Sequence, residues 1–429
     1  MKVNTKGEEK MGQPKFPGIP YEEYTLRINR AKDLMGKYGF DALLLFGIDN
    51  IRYYTGHIKA SYGFSRRWRR GVVIPQKGKP VFVSSNITAK NAMMTTWIED
   101  IRPWSGLMRV GYEKGGEILF HEKDHETMFI NILKDLKVRR VGVEIDDTIQ
   151  NEISWGEFET IKKGLEKVDL VDASELIWEQ RMIKTEYEQN IIKDLHARFS
   201  RAILKAREQL KIGMTEFQFH GLIFENCVRE GIHEDPMAGR MMMTGPGRYT
   251  TYIMGPTDTV LRKGDTLWID GGPRHKGYFM DIQRNLCFGK PTKKMKEHYQ
   301  VALEAVLACA SAVKPGAMGS DIWKAMENAI RKIDPKYLLK LPSEMLGHGM
   351  GLYTHEPPFF APKKQLDRLE EMDRELKPGM YVAVEVGIVD TEPAEPEIVT
   401  MWPEENLLVT KTGHEVLTKD VPNDLWVIE

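Results

Sequence analysis

The chain has 429 residues, a formal net charge of −1, 41% hydrophobic and 29% charged residues. That length exceeds one ordinary core and asks for two domains, and the composition is that of a globular protein rather than a disordered chain. The balanced charge excludes a general attraction for nucleic acid or anionic lipid, and Cys227, Cys287 and Cys309 are too few and too irregularly spaced for a disulfide framework or a thiolate zinc site.

The opening segment MKVNTKGEEKMGQPKFPGIP holds no apolar core of signal-peptide length, so the expected location is cytoplasmic, with no membrane span. Within residues 24–38, Leu26, Ile28, Ala31, Leu34, Met35 and Tyr38 recur at near-helical spacing, and Gly39 is placed to close the helix. Residues 42–46 follow as an apolar strand. Residues 71–74 and 81–84 flank PQKGKP and predict a hairpin, and residues 141–144 predict another strand. Helix alternating with strand implies a small α/β layer ending near residue 175. The run FSRRWRR (64–70) reads either as a solvated edge before a strand or as a border of the active site in a dimer partner.

A long amphipathic helix opens the second half, with Ile192, Leu195, Phe199, Ala202, Ala206 and Leu210 on one face and Gly213 ending the run. Thr215 and Gln218 offer a capping box for the next helix. The domain boundary therefore falls within residues 175–185, dividing the chain into 1–178 and 179–429. An internal repeat follows: LKIGMTE (210–216) is echoed by VKPGAMGSD (313–321), and LRKGDTLWID (261–270) by LKPGMYVAVE (376–385). Gly264 precedes Asp270 by six residues and Gly379 precedes Glu385 by six, so two halves of one domain place an acid at the same point of equivalent strands.

Asp270 sits among Leu267 and Ile269, and Glu385 within YVAVEVGIV. A carboxylate buried in such a strand costs several kcal/mol, roughly, unless something pairs with it. A hairpin through GGPRHKGY brings Asp281 to Asp270, and Glu404, just before the strand-like residues 407–410, takes the matching place in the second half. No lysine or arginine lies at the heart of these segments, so two divalent ions are the expected counter-charge, with oxygen ligands suiting manganese, cobalt, iron or zinc. In GHGMGLYTHEPP (347–358), His348 between glycines is the expected fifth ligand, and His355 the acid/base or substrate-polarising group.

Asp270, GYFMD ending in Asp281, GHGMGLYTHEPP, LKPGMYVAVE and EENLLVTKTGHEVLT resemble the pita-bread metallopeptidases, the group of methionine aminopeptidase, Xaa-Pro aminopeptidase, prolidase and the non-metal creatinase. Residues 30–57 are similar to the creatinase-type N-terminal domain, and RMIKTEYE (181–188) to the segment joining the two domains. The resemblance implies an α/β N-terminal domain and an α+β pita-bread catalytic domain with an internal pseudo-twofold repeat. It implies Asp270, Asp281, His348, Glu385 and Glu404 as ligands of two metal ions, with Glu385 shuttling a proton and His355 stabilising the tetrahedral intermediate. A homodimer is implied as well, with Arg66, Arg67 or Trp68 bordering the partner's site.

Three positions depart from the family pattern. Tyr252, within GPGRYTTYIMGPTD, stands where the peptidases have a histidine; Trp402 stands at the usual arginine; and Glu385-Val386 replaces a glutamate-proline pair. Arg248 and Tyr252 join Arg66 and Trp68 as expected substrate contacts. The first functional expectation is a two-metal hydrolase of the Xaa-Pro dipeptidase or aminopeptidase type, acting on a small peptide or amide. The alternatives are a lyase like the dimethylsulfoniopropionate lyases of this fold, which also lack the upstream histidine and carry a nearby arginine, and a non-catalytic binding protein, which has no reason to keep five ligand positions.

Overall fold

The computed structural model describes residues 19–58, 69–104, 113–114, 117–118, 124–145, 153–244, 256–368, 372–390 and 399–429. Two compact units divide the chain, Met1–Gln180 and Arg181–Glu429. Among the described residues no helix is long and apolar enough to cross a membrane.

The first unit runs α1 (Tyr21–Tyr38), β1 (Ala42–Leu45), α2 (Ile48–Thr55), β2 (Gly71–Pro75), β3 (Val81–Ser85), α3 (Asn86–Thr95) and β4 (Asp100–Trp104). It continues through β5 (Glu113–Lys114), β6 (Glu117–Ile118), α4 (His125–Asp135), β7 (Arg140–Val143), α5 (Trp155–Gly164), β8 (Asp169–Asp172) and α6 (Ser174–Met182). One sheet is ordered β4-β3-β2-β1-β7-β8, antiparallel across β1–β2 and β2–β3 and parallel elsewhere. Its core is Leu44, Val73, Val83 and Val141 with Phe129, Ile132 and Ile161 from the helices over it. Helix α1 begins at Tyr21 rather than residue 24, with Glu22 and Glu23 placing negative charge in its first turn, and Gly39 closes it at φ 72°. Strands β1 and β7 each stop one residue short of the expected end, for a shared reason. Glu144 leaves its strand, and its buried carboxylate accepts the N–H groups of Phe46 and Gly47 and the Asn50 amide, holding negative charge at the start of α2.

The second unit begins with α7 (Glu186–Gln209), α8 (Glu216–Arg229), β9 (Asp235–Thr244), β10 (Thr266–His275), β11 (Tyr278–Phe279) and β12 (Gln283–Phe288). It continues with α9 (Lys293–Ala312), α10 (Gly319–Ile333), a 3-10 turn (Pro335–Lys340), β13 (Gly347–Gly349), β14 (Glu356–Phe359) and α11 (Lys363–Arg368). Strands β15 (Tyr381–Glu385), β16 (Ile388–Val389), β17 (Thr400–Met401), β18 (Glu404–Val409), β19 (His414–Val416) and β20 (Trp426–Ile428) complete it. Thr215 and Gln218 form the capping box of α8, and Thr185 with Glu188 forms that of α7. Two five-stranded sheets result, β11-β10-β12-β20 with β9 on β10, and β14-β13-β15-β18-β19, and β16 pairs with β17.

The two halves are tied by matching contacts. Gly213 N donates to Leu261 O and Gly316 N to Leu376 O, both at 2.9 Å. Gly264 N donates to Phe288 O at 2.7 Å and Gly379 N to Val409 O at 2.9 Å, which joins each strand's lead-in to its hairpin partner. All four glycines hold φ between 85° and 95°, where an L side chain meets its own backbone. Each helix pair then covers one face of one sheet. Phe199, Ile203, Phe219 and Ile223 pack on Leu267, Ile269 and Leu286. Val306, Ile322, Met326 and Ile330 pack with Val382, Val384, Leu407 and Val409. Because successive strand residues alternate faces, Asp270, Gln283, Glu385, Glu404 and Asn406 emerge opposite those apolar rows.

Gly379→Ala should therefore lower stability by about 1–2 kcal/mol, the penalty of a left-handed residue with a Cβ, while Lys377→Ala in the same turn should change it by less than about 0.5 kcal/mol. The midpoints of urea unfolding curves check the difference.

Candidate metal centre

Strands β10 and β12 carry the first two acids. Their register sets Asp270 opposite Gln283, and Asp281 lies at the end of the intervening turn. Gly272 permits that approach, since a Cβ there would stand 2.6 Å from Met280 O. On the second sheet, β15 and β18 set Glu385 opposite Glu404. Glu404 is the first residue of β18, not a residue preceding the strand, and it is fully buried. Oxygen atoms of Asp270, Asp281 and Glu404 all lie within 4.8 Å of one another.

His348 sits on the short strand β13, between β14 and β15. Its glycine neighbours are required by contact: a Cβ at Gly347 would meet Ala383 O at 2.2 Å, and one at Gly349 would meet Pro357 O at 2.3 Å. The imidazole Nδ1 faces Gly349 O at 3.1 Å, and Nε2 stands 3.7 Å from Glu385 Oε1. His355, itself exposed on the largely buried bend that follows, brings its ring centroid to 4.1 Å from that of His348. Ligand atoms of Asp281, His348 and His355 again lie within 4.8 Å of one another, so Asp281 belongs to both groups. The structure thus brings together Asp270, Asp281, His348, His355, Glu385 and Glu404. Arg66, Trp68, Arg248 and Tyr252, the expected substrate contacts, lie outside the described residues, as does Arg67.

Electrostatics at this point are severe. Burial first, then Asp281, Glu385 and Asp270, push the Glu404 carboxyl well above its ordinary value. Glu404 Oε2 is buried with no hydrogen-bond partner among the described residues, while Oε1 accepts the Asn406 amide at 2.8 Å. Burial and the neighbouring His355 hold His348 well below the usual imidazole range, leaving a neutral ring with a lone pair. Carboxylates in mutual repulsion, an orphaned oxygen and a neutral imidazole are the donor set that divalent cations satisfy, so the residues present fit a metal site.

Around these side chains lies a second set that sequence patterns did not expose. Contrary to the expectation that no cation lies at the heart of these segments, Arg284 is fully buried on β12 and donates to the backbone oxygens of Gln283, Glu404 and Val421 at 2.7–2.8 Å. It ties the two sheets through carbonyl groups and leaves the carboxylates to one another. Tyr381 OH lies 2.7 Å from His196 Nε2 and 3.4 Å from Asn406 Oδ1, which links α7 to the amide on Glu404. Burial and Arg284 lower His196 to about 3, so it serves as a neutral partner. The His355 turn is clamped by Glu356, whose carboxylate accepts Leu352 N at 2.9 Å, Tyr353 N at 3.0 Å, and the buried Arg181 and Lys184 side chains. Burial opposes ionisation of Glu356, but Arg181 and Lys184 outweigh it and hold the group below its ordinary range. The signal that could have exposed this clamp was the pair of basic residues in RMIKTEYE facing the acid of His-Glu-Pro.

The sequence pattern of metallopeptidase family M24 matches residues 190–411, and that of the creatinase/prolidase N-terminal domain matches residues 27–183. A putative dipeptidase, YkvY, of Bacillus subtilis (strain 168) is 26% identical over 403 residues, covering 94% of this chain and 99% of the relative. The creatinase of Bacillus sp. (strain B-0618) is 25% identical over 425 residues, covering 95% and 93%. The solved Xaa-Pro dipeptidase from Bacillus anthracis superposes with a TM-score of 0.74 at 23% identity, covering 94% of this chain and 100% of that one, a likeness of fold. With its acid cluster, its paired sheets and both patterns in place, the chain belongs to metallopeptidase family M24 and carries a creatinase/prolidase N-terminal domain.

Proposed function

We propose that this protein is a two-metal hydrolase that cleaves a small peptide or amide bond, of the Xaa-Pro dipeptidase or aminopeptidase type. Asp270, Asp281, His348, Glu385 and Glu404 hold two divalent ions, chosen from manganese, cobalt, iron and zinc. The observation that carries this reading is the carboxylate cluster, in which Glu404 is buried against three other acids and keeps one oxygen without a hydrogen bond among the described residues. A protein has no structural use for such repulsion unless cations relieve it. Membership of the M24 family, which implies a two-metal site, supports the same conclusion.

When bound, the ions supply Lewis acidity and a water ionised near neutral pH. The chain's own residues do the rest. Glu385, whose Oε1 faces His348, receives the proton of the attacking water and passes it to the departing nitrogen. His355, exposed beside His348 on a turn fixed by Glu356, donates to the oxygen on which negative charge develops. Arg248 and Tyr252 contact the substrate, and Arg66 and Trp68 reach it from the second chain of a homodimer.

Purified protein should carry about two divalent ions per chain and lose activity with a chelator; Asp270→Ala and His348→Ala should each lower turnover by at least about 100-fold. Elemental analysis without metal, together with chelator-resistant activity, would remove the reading. In oxygen-18 water, hydrolysis should place one labelled oxygen per turnover, in the carboxylate formed from the scissile carbonyl, whereas an unlabelled alkene product would mark elimination and assign the site to a lyase. For the homodimer, mixing inactive Arg66→Ala and inactive Asp270→Ala chains should restore part of the activity in hybrids. A fully active monomer by light scattering sinks that assignment.

A further inference from the structure

Gln283 stands on β12, 3% exposed, with both ends of its amide engaged. Its Oε1 accepts the indole N–H of Trp268 at 2.9 Å. An indole nitrogen only donates, so the orientation of this amide is settled by its neighbour: oxygen toward Trp268, nitrogen away. The nitrogen donates to Glu385 Oε2. The other oxygen of the same carboxylate, Oε1, is the one that faces His348 Nε2 at 3.7 Å.

Trp268 is itself held. Its ring stacks on Trp402, with centroids 5.0 Å apart and planes 10° from parallel. Trp402 N donates to Asn285 Oδ1 at 2.8 Å, and its ring fills the space beside Gly387, where a Cβ would stand 2.6 Å from the indole. The stack therefore braces the backbone just beyond Glu385 as well as the indole that orients Gln283.

Register adds a further point. Asp270 faces Gln283 across β10 and β12, as Glu385 faces Glu404 across β15 and β18. In the first half Gln283 thus holds the place that Glu404 holds in the second. A carboxylate there would aim another negative charge at Glu385; the amide aims a donor instead.

We infer that Gln283, locked by Trp268, is a positioning residue that fixes the plane of the Glu385 carboxylate, so that one oxygen is presented to the ion on the His348 side while the other accepts the amide. The inference rests on the two-metal reading proposed above. Turning the Glu385 carboxylate out of this plane breaks the amide hydrogen bond, so the amide opposes that motion.

Three variants test it. Gln283→Glu keeps the shape and the acceptor for Trp268 but removes the amide donor to Glu385; Gln283→Leu removes both; Trp268→Phe keeps an aromatic ring to stack and removes the N–H that orients the amide together with part of the indole. Cobalt(II) titration of each purified chain, followed by its visible absorption spectrum, reads the metal site without reference to activity. Both Gln283 variants should weaken cobalt binding by about 10- to 100-fold and alter the spectrum. Turnover should fall in kcat by a similar factor while KM moves by less than about 2-fold, as expected when a metal ligand rather than a substrate contact is disturbed. Trp268→Phe should fall between these and the parent, and it keeps the test decisive if a Gln283 variant does not fold. Parental cobalt affinity, spectrum and kcat in the folded variants overturn the inference alone. A parent chain that takes up no cobalt overturns the two-metal reading and this inference with it.

Discussion

Repulsion among carboxylates at one buried point is the constraint on which the catalytic unit depends. Two unit charges about 4 Å apart interact by about 4 kcal/mol at an effective dielectric of about 20, and here Asp270, Asp281 and Glu404 lie within 4.8 Å of one another with Glu385 beside them. No acid can drift away, because each is anchored on or beside a strand whose opposite face is packed under a helix pair. The frame holds the charges together, and the charges make the site a receptor for cations.

That frame is rigid for a reason visible in its contacts. Four glycines with positive φ start equivalent elements in the two halves, and their N–H groups close equivalent hydrogen bonds. Arg284 joins the sheets through backbone carbonyls, so its charge strengthens the scaffold without lying in a direct ion pair with the acids. Glu356, Arg181 and Lys184 perform the matching task for the His355 turn. Both buried cations pair with the same carboxylate, so losing Glu356 breaks both ion pairs at once.

Side-chain amides then refine what the strands place. Asn406 donates to Glu404 and Gln283 donates to Glu385, so each of these two glutamates carries a neutral donor on one oxygen. A neutral amide neither adds to the repulsion nor competes for cations, which a lysine or arginine at the same place would do. The relatives' names, a putative dipeptidase in one case and creatinase in another at similar identity, separate family from substrate.

Much of this architecture was legible in the sequence. Helical spacing marked α1 and α7, the Thr215–Gln218 box marked α8, and the paired six-residue steps from Gly264 to Asp270 and from Gly379 to Glu385 marked the duplicated halves. These signals are local, because period, capping and backbone chirality act over a few residues. The same locality explains the acids' prominence: a carboxylate within an apolar strand stands out without any knowledge of its partners. What only the tertiary structure decided are the pairings between distant segments. Glu144 at the start of α2, Arg284 on the carbonyls of the opposite sheet, Trp268 stacked on Trp402, and Gln283 turned toward Glu385 follow no spacing rule. Each is set by where folded sheets bring donors and acceptors within hydrogen-bond reach, a distance that sequence separation does not encode.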